Sequence, residues 1–308
     1  MIPATLYTIG NFTIDDIVVW PSGRTWMGQA GGNVLFSALG ARIWLDTVGM
    51  LARIGNDYPA GRLEEIESRG ILVGVYPVDL PNLHDWALYE ADGARQFVNH
   101  LTSGTNEAMT LNPEEIPVRC LDGLAYHIAS APAPQQIALV AALKRPGRFI
   151  SLDPHESWVI DHAAAILGAL AGVDFFLPSE IEARLLYGSN APDFAAREFA
   201  RLGPKVVVVK MGAEGSLVYE TAAARLTHVP AYPAQVRDVT GAGDAYCGGF
   251  LAGYLITSDP VAAAQHGTVS ASYVAEAVGA LATAQPTRAE ARARLRMVAA
   301  KTVRSNSM

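Results

Sequence analysis

Short runs that are apolar at every position alternate with stretches of helical period along most of this chain. That alternation limits the fold more than any other feature. The run Val206-Val207-Val208-Val209 is the plainest case. A strand apolar on both faces must be covered on both, and helices reach both faces of a sheet through crossover connections. Strands are expected at Leu6–Ile9, Thr47–Leu51, Ile71–Pro77, Gly123–Ile128, Phe149–Leu152, Val173–Phe176 and Val206–Val209. Helices are expected among them at Asn33–Ala41, Ala60–Arg69, Pro134–Leu143, Ala163–Leu170, Ile181–Tyr187 and Phe194–Leu202. Repeated βαβ units give an α/β fold with a doubly wound, mostly parallel sheet. With 308 residues, half of them hydrophobic and 17% charged, one large domain over 1–308 is expected.

Two segments, about 16–27 and 84–100, interrupt the pattern. Ile17–Trp26 follows the first strand too soon for a crossover helix. His84–His100 reads as a hairpin around an Asp92-Gly93 turn. Together they are expected to form a small extra sheet, either an edge decoration or a lid. Trp20, Trp26, Trp86 and Tyr89 would give it an aromatic surface suited to a partner.

A formal charge of −7 and a pI near 5.5 argue against nucleic acid or an anionic membrane as the main partner. No apolar run reaches the ~18 residues of a membrane span. The start Met1-Ile2-Pro3-Ala4-Thr5 lacks the basic and apolar regions of a signal peptide, so a soluble cytoplasmic protein is expected. Cys120 and Cys247 make no disulfide framework.

The chemistry is concentrated in Asp238-Val239-Thr240-Gly241-Ala242-Gly243-Asp244-Ala245-Tyr246-Cys247-Gly248-Gly249-Phe250. Glycines between two aspartates, running into the helical segment Phe250 to Ile256, expose backbone N–H groups at a helix N-terminus. Such a turn cradles an anion. Asp244 would repel a bound phosphate, so its presence there makes sense as the group that takes a proton from an attacking hydroxyl. The stretch is similar to the C-terminal signature of the PfkB (ribokinase-like) carbohydrate kinases. That resemblance implies a ribokinase-like kinase with a small β lid, which in the family is often also the homodimer contact. It implies ATP and Mg²⁺, with Asp244 as base, Gly241, Ala242 and Gly243 as anion cradle, and Thr240 beside the nucleotide.

The resemblance extends along the chain. Gly10-Asn11-Phe12-Thr13-Ile14-Asp15 puts Asp15 where the family grips a substrate hydroxyl, and leaves Asp16 as a solvated neighbour. Ala30-Gly31-Gly32-Asn33 resembles the N-terminal Gly-Gly signature, which assigns Gly31, Gly32 and Asn33 to the acceptor. The turn after Val206–Val209 places Lys210, Gly212 and Gly215 near the nucleotide, although Lys210 fits a solvent-reaching strand end equally well. Glu182 keeps the glutamate of the family's Asn-x-x-Glu metal motif, acting through water. Ser179, where the family has asparagine, also fits a capping box with Glu182. Asp238 is implied as a ligand to a monovalent cation such as K⁺. The small residues of Thr268–Gly279 suit an adenine pocket or plain helix packing.

Phe36 stands where ribokinases and their relatives carry asparagine, and it is expected to offer an apolar or stacking wall to the acceptor. Ser157 stands where fructokinase-like members have arginine, which removes a clamp for phosphorylated or acidic sugars. The expected reaction is ATP-dependent phosphorylation of a small sugar-like metabolite, with a nucleoside or a cyclitol as alternative acceptors. A non-catalytic member that binds metabolite is the competing class. No Gly-x-Gly-x-x-Gly follows the first strand, which disfavours a dinucleotide-binding dehydrogenase.

Overall fold

In the computed structural model of the protein, residues 4–20, 22–90, 95–188 and 191–304 are described. The first part of the chain runs β1 (Leu6–Ile9), β2 (Thr13–Val19), β3 (Arg24–Gly31), α1 (Asn33–Arg42), β4 (Val48–Ile54), α2 (Arg62–Ser68) and β5 (Ile71–Pro77). It continues with β6 (Leu83–Tyr89), β7 (Arg95–Asn99), α3 (Asn106–Met109), β8 (Ala125–Ile128), α4 (Ala133–Leu143), β9 (Phe149–Leu152) and α5 (Glu156–Ala169). Then follow β10 (Phe175–Phe176), α6 (Glu180–Tyr187), α7 (Pro192–Ala200), β11 (Val206–Lys210), β12 (Ser216–Glu220) and β13 (Arg225–Val229). The chain closes with α8 (Ala242–Thr257), α9 (Pro260–Ala275), α10 (Arg288–Lys301) and β14 (Val303–Arg304).

The main sheet has ten strands in the order β14-β13-β12-β11-β10-β9-β8-β1-β4-β5. From β11 to β5 every pairing is parallel, as the apolar runs require. Val206 and Val208 enter one core with Phe175 and Phe250, while Val207 and Val209 enter the other with Phe176 and Phe199. The β11–β12–β13–β14 edge is antiparallel, which the sequence reading missed.

The two interrupting segments form a separate four-stranded sheet, β3-β2-β6-β7. Parallel β2 and β6 sit at its centre with an antiparallel strand on each side. The expected Asp92-Gly93 turn lies outside the described residues.

Close helix contacts set the geometry of the site. α1 crosses α8 where Gly40 and Gly248 leave no room for a side chain. A Cβ on Gly40 would lie 2.1 Å from Ala245 O, and one on Gly248 would lie 1.8 Å from Ser37 O. The crossing brings the N-terminus of α1 beside that of α8. α8 also packs on α9, and a Cβ on Gly249 would meet Ser270 Oγ at 2.3 Å. That packing accounts for the small residues of α9 without an adenine ring. No helix among the described residues is long and apolar enough to cross a membrane.

Candidate active site

A cavity of about 120 Å³ lies between the small sheet and the N-termini of α1 and α8, lined by residues that include Asp15, Gly32, Asn33, Phe36, Thr240, Gly241 and Asp244. It thus brings together residues from both ends of the sequence. Three further lining residues, Thr13, Asp85 and Phe97, were not anticipated. They sit on β2, β6 and β7 at positions alternating with outward-facing ones, a period-2 signal that becomes informative only once the strands are paired.

Asp15 is on β2 and not in a loop beyond β1, and it is 5% exposed. Gly31 exists to admit it, because a Cβ there would sit 1.9 Å from Asp15 Oδ2. Burial raises the Asp15 pKa from 3.8 to about 7; the Thr13 hydroxyl pulls it down, while Asp85, Asp238 and Asp16 push it up. Asp16 is no solvated neighbour: it is buried on the opposite side of the strand, paired with His84 and His100.

Asn33 is the first residue of α1, and its amide is used inside the protein. Its Oδ1 accepts from Asn11 N–H at 2.9 Å, and its Nδ2 donates to Ser130 O at 2.6 Å. It therefore ties the ends of β1 and β8 to α1 at the cavity wall. Phe36 is 3% exposed and packs against Gly241, so it supports the glycine turn more than it walls the ligand.

The motif loop holds its shape through Asp238. Its Oδ1 accepts from Thr240 N–H at 2.8 Å and from the Tyr89 hydroxyl, which also contacts Thr240 Oγ1. Tyr89 was expected on an outer aromatic surface; instead it links the small sheet to this loop. Gly241 has φ +73° and is the N-cap of α8. Ala242 N–H points to Val239 O at 3.2 Å, which takes that amide out of the expected anion cradle. Asp244 follows in the first turn of α8, half-buried.

Lys210 turns inward, with only 13% of its side chain exposed. Its Nζ lies 2.6 Å from Asp153 Oδ2 and 3.5 Å from Cys247 Sγ. It also passes close behind the cradle, 3.7 Å from where a Cβ on Gly243 would stand. The Asp153 carboxylate raises the Lys210 pKa against the opposing effect of burial. Ser179 and Glu182 do form a capping box at α6, with Ser179 N–H donating to Glu182 Oε2 at 2.6 Å. Burial and then Asp153 push Glu182 up to about 7. Asp153 itself is held at about 6, raised by burial and lowered by Lys210. Gly212 and Gly215 form the β11–β12 turn, away from the cavity lining. A Cβ on Gly215 would meet Val229 O at 2.2 Å, so packing explains this glycine.

Residues 16–288 match the model of the pfkB family carbohydrate kinases. The cytidine kinase of Thermococcus kodakarensis is 31% identical over 254 residues, covering 81% of this chain and 88% of that protein. The ribokinase of Thermotoga maritima has the same fold, with a TM-score of 0.74, 22% identity and coverage of 95% of this chain and 99% of that one. An E. coli protein solved in complex with ATP and Mg²⁺ superposes with a TM-score of 0.78, at 21% identity over 96% of this chain and 99% of its own.

Proposed function

Because the chain belongs to the pfkB family of carbohydrate kinases, we propose that it moves the γ-phosphoryl group of ATP to a hydroxyl of a small sugar-bearing metabolite, with Asp244 as the base. The convergence of Asp15, Gly241 and Asp244 on one cavity at the start of α8 carries this reading. Asp15 orients the acceptor through its hydroxyls. The attacking oxygen forms its bond to γ-phosphorus, its proton passes to the Asp244 carboxylate, and the bridging P–O bond to ADP breaks. The Gly241 and Gly243 amides and the α8 dipole stabilise charge on the transferring group, with the Lys210 ammonium close behind them. Loss of one such preorganised donor costs about 3–4 kcal/mol.

Mg²⁺ suits the residues behind the cradle. Asp153 Oδ1 is buried without a hydrogen-bond partner, and Glu182, raised to about 7 by burial and then by Asp153, would be drawn into its charged form by a cation. Asp153 and Glu182 would hold the ion through water, and it would offset phosphate charge. Asp238 as a ligand to a monovalent cation belongs to the same reading, tested by replacing K⁺ with choline. So does a single domain in which the small sheet is the lid, with Trp20 and Met27, both exposed, at a homodimer contact.

The favoured acceptor is a nucleoside. Phe97 is 51% exposed at the cavity and can stack a base, while Asp15 and Asp85 accept from ribose hydroxyls. The similarity to a cytidine kinase supports this choice. The test is ADP release from ATP–Mg²⁺ against nucleosides, pentoses, hexoses and cyclitols. Turnover that depends on the base supports the nucleoside reading. Turnover with free sugars or cyclitols alone refutes it, and ATP binding with no acceptor turned over would favour a metabolite-binding protein.

A further inference from the structure

The small sheet carries a second cluster of chemistry on its other face. Asp16, His84 and His100 each bring one ligand atom to a place where all three lie within 4.8 Å of one another. Asp16 comes from β2, His84 from β6, and His100 directly follows β7. Side chains alternate along strands, so Asp16 and His84 face away from the cavity that Asp15 and Asp85 line.

We propose that this cluster is a binding site for a divalent transition metal, with zinc as the best match. His84 Nε2 and His100 Nε2 lie 3.0 and 3.2 Å from the same oxygen, Asp16 Oδ2. Donors around tetrahedral zinc, each at about 2.0–2.2 Å, are spaced about 3.3 Å apart, so a small inward cation fits with little movement. The His84 contact has hydrogen-bond geometry. The His100 contact does not, and its Nε2 is buried with no hydrogen-bond partner. A hydrogen bond to Asp16 therefore uses one imidazole, whereas a metal ion uses both. Two imidazoles and a carboxylate suit zinc and its neighbours, and not magnesium.

The surroundings fix these donors. The β2–β3 pairing shifts register opposite Asp16, and there Gly28, at φ +61°, donates its N–H to Asp16 Oδ1 at 2.6 Å. That bond turns Oδ2 toward the imidazoles, as an outer-shell partner does in metal sites. The Trp86 ring stacks on His100 at 4.6 Å, and His100 stacks on His84 at 3.7 Å. The two histidine side chains remain 25% and 19% exposed, so the cluster lies near solvent, the source of a fourth ligand. A bound ion would cross-link β2, β6 and the end of β7, the strands whose inner face meets the cavity.

The test titrates tag-free, chelator-treated full chain with Zn²⁺ and Co²⁺ at neutral pH without nucleotide. The expected result is one equivalent of Zn²⁺, a four- or five-coordinate Co²⁺ absorption spectrum, and no competition by Mg²⁺. Affinity should fall at least about tenfold in Asp16→Asn, His84→Ala and His100→Ala, each checked for a cooperative melt. For any variant that fails to fold, the wild type supplies the readout: Zn²⁺ should block diethyl pyrocarbonate modification of His84 and His100, read by mass spectrometry. Absence of stoichiometric Zn²⁺ binding, or binding unchanged in folded His84→Ala and His100→Ala, would overturn the proposal. Undiminished modification of both histidines in saturating Zn²⁺ would overturn it as well.

Discussion

The Phe36 ring lies directly against Gly241, so close that a Cβ on the glycine would sit 2.1 Å from the ring. An aromatic residue at the start of α1 thus underpins the first residue of the proposed anion cradle. It fills space that only a glycine at φ +73° leaves open.

Gly241→Ala should therefore fail for two reasons, the clash and the left-handed backbone, the latter worth about 1–2 kcal/mol. Turnover is expected to fall about 10²-fold or more as the cradle amides shift. Adding Phe36→Ala should recover part of the melting temperature and little of the activity, because the backbone strain stays. Wild-type kcat in Gly241→Ala would show that the turn does not hold the phosphoryl group.

Some of this arrangement was legible in the sequence, and the reasons for the rest are local. Val206–Val209 announced a doubly covered strand because every position is apolar. Ser216-Leu217-Val218-Tyr219-Glu220 did not, since it is short, mixed in polarity and reached through a glycine turn. Phe36 stood out as unusual, but where its ring points depends on the α1–α8 crossing at Gly40 and Gly248. Asp15 was legible by spacing. Asp16 was not, because its histidine partners lie 68 and more residues away in sequence, on strands whose pairing only the fold supplies. Lys210 was ambiguous for the same reason, its partner Asp153 being 57 residues distant.

Asp15 should trade stability for function. Its folded pKa of about 7 lies above the unfolded value of 3.8, so between these values the folded state binds more protons. The stability contribution of the protonated form is full below about pH 4 and is lost as pH rises toward 7. Asp15→Asn should accordingly be more stable than wild type at pH 8, by about 1–3 kcal/mol, with the gap closing toward pH 4. The same variant should lose acceptor-dependent turnover. Denaturant melts of both proteins across that range check the slope, and a gap that widens on acidification would contradict the burial of the charge.

Lys210 and Asp153 should behave as one unit. Lys210→Met leaves Asp153 buried and unpaired, at a cost of about 3–5 kcal/mol near pH 8. Asp153 can escape by taking a proton, which Lys210 opposes in the wild type, so the loss should shrink as pH falls from 8 and level off near pH 6. The double variant Lys210→Met/Asp153→Asn should regain stability at pH 8 while its KM for ATP stays raised. A double variant no more stable than Lys210→Met would contradict the pairing.

The most direct measurement is acceptor-dependent ADP release by Asp244→Asn beside ATP binding by the same protein. The substitution keeps size and shape and removes the proton acceptor, a group worth on the order of 10²–10⁴ in rate. Turnover should fall by that factor or more while the affinity for ATP stays within about threefold of wild type, since the cradle amides remain. Turnover near the wild-type rate would contradict Asp244 as the base, and with it the site at the head of α8.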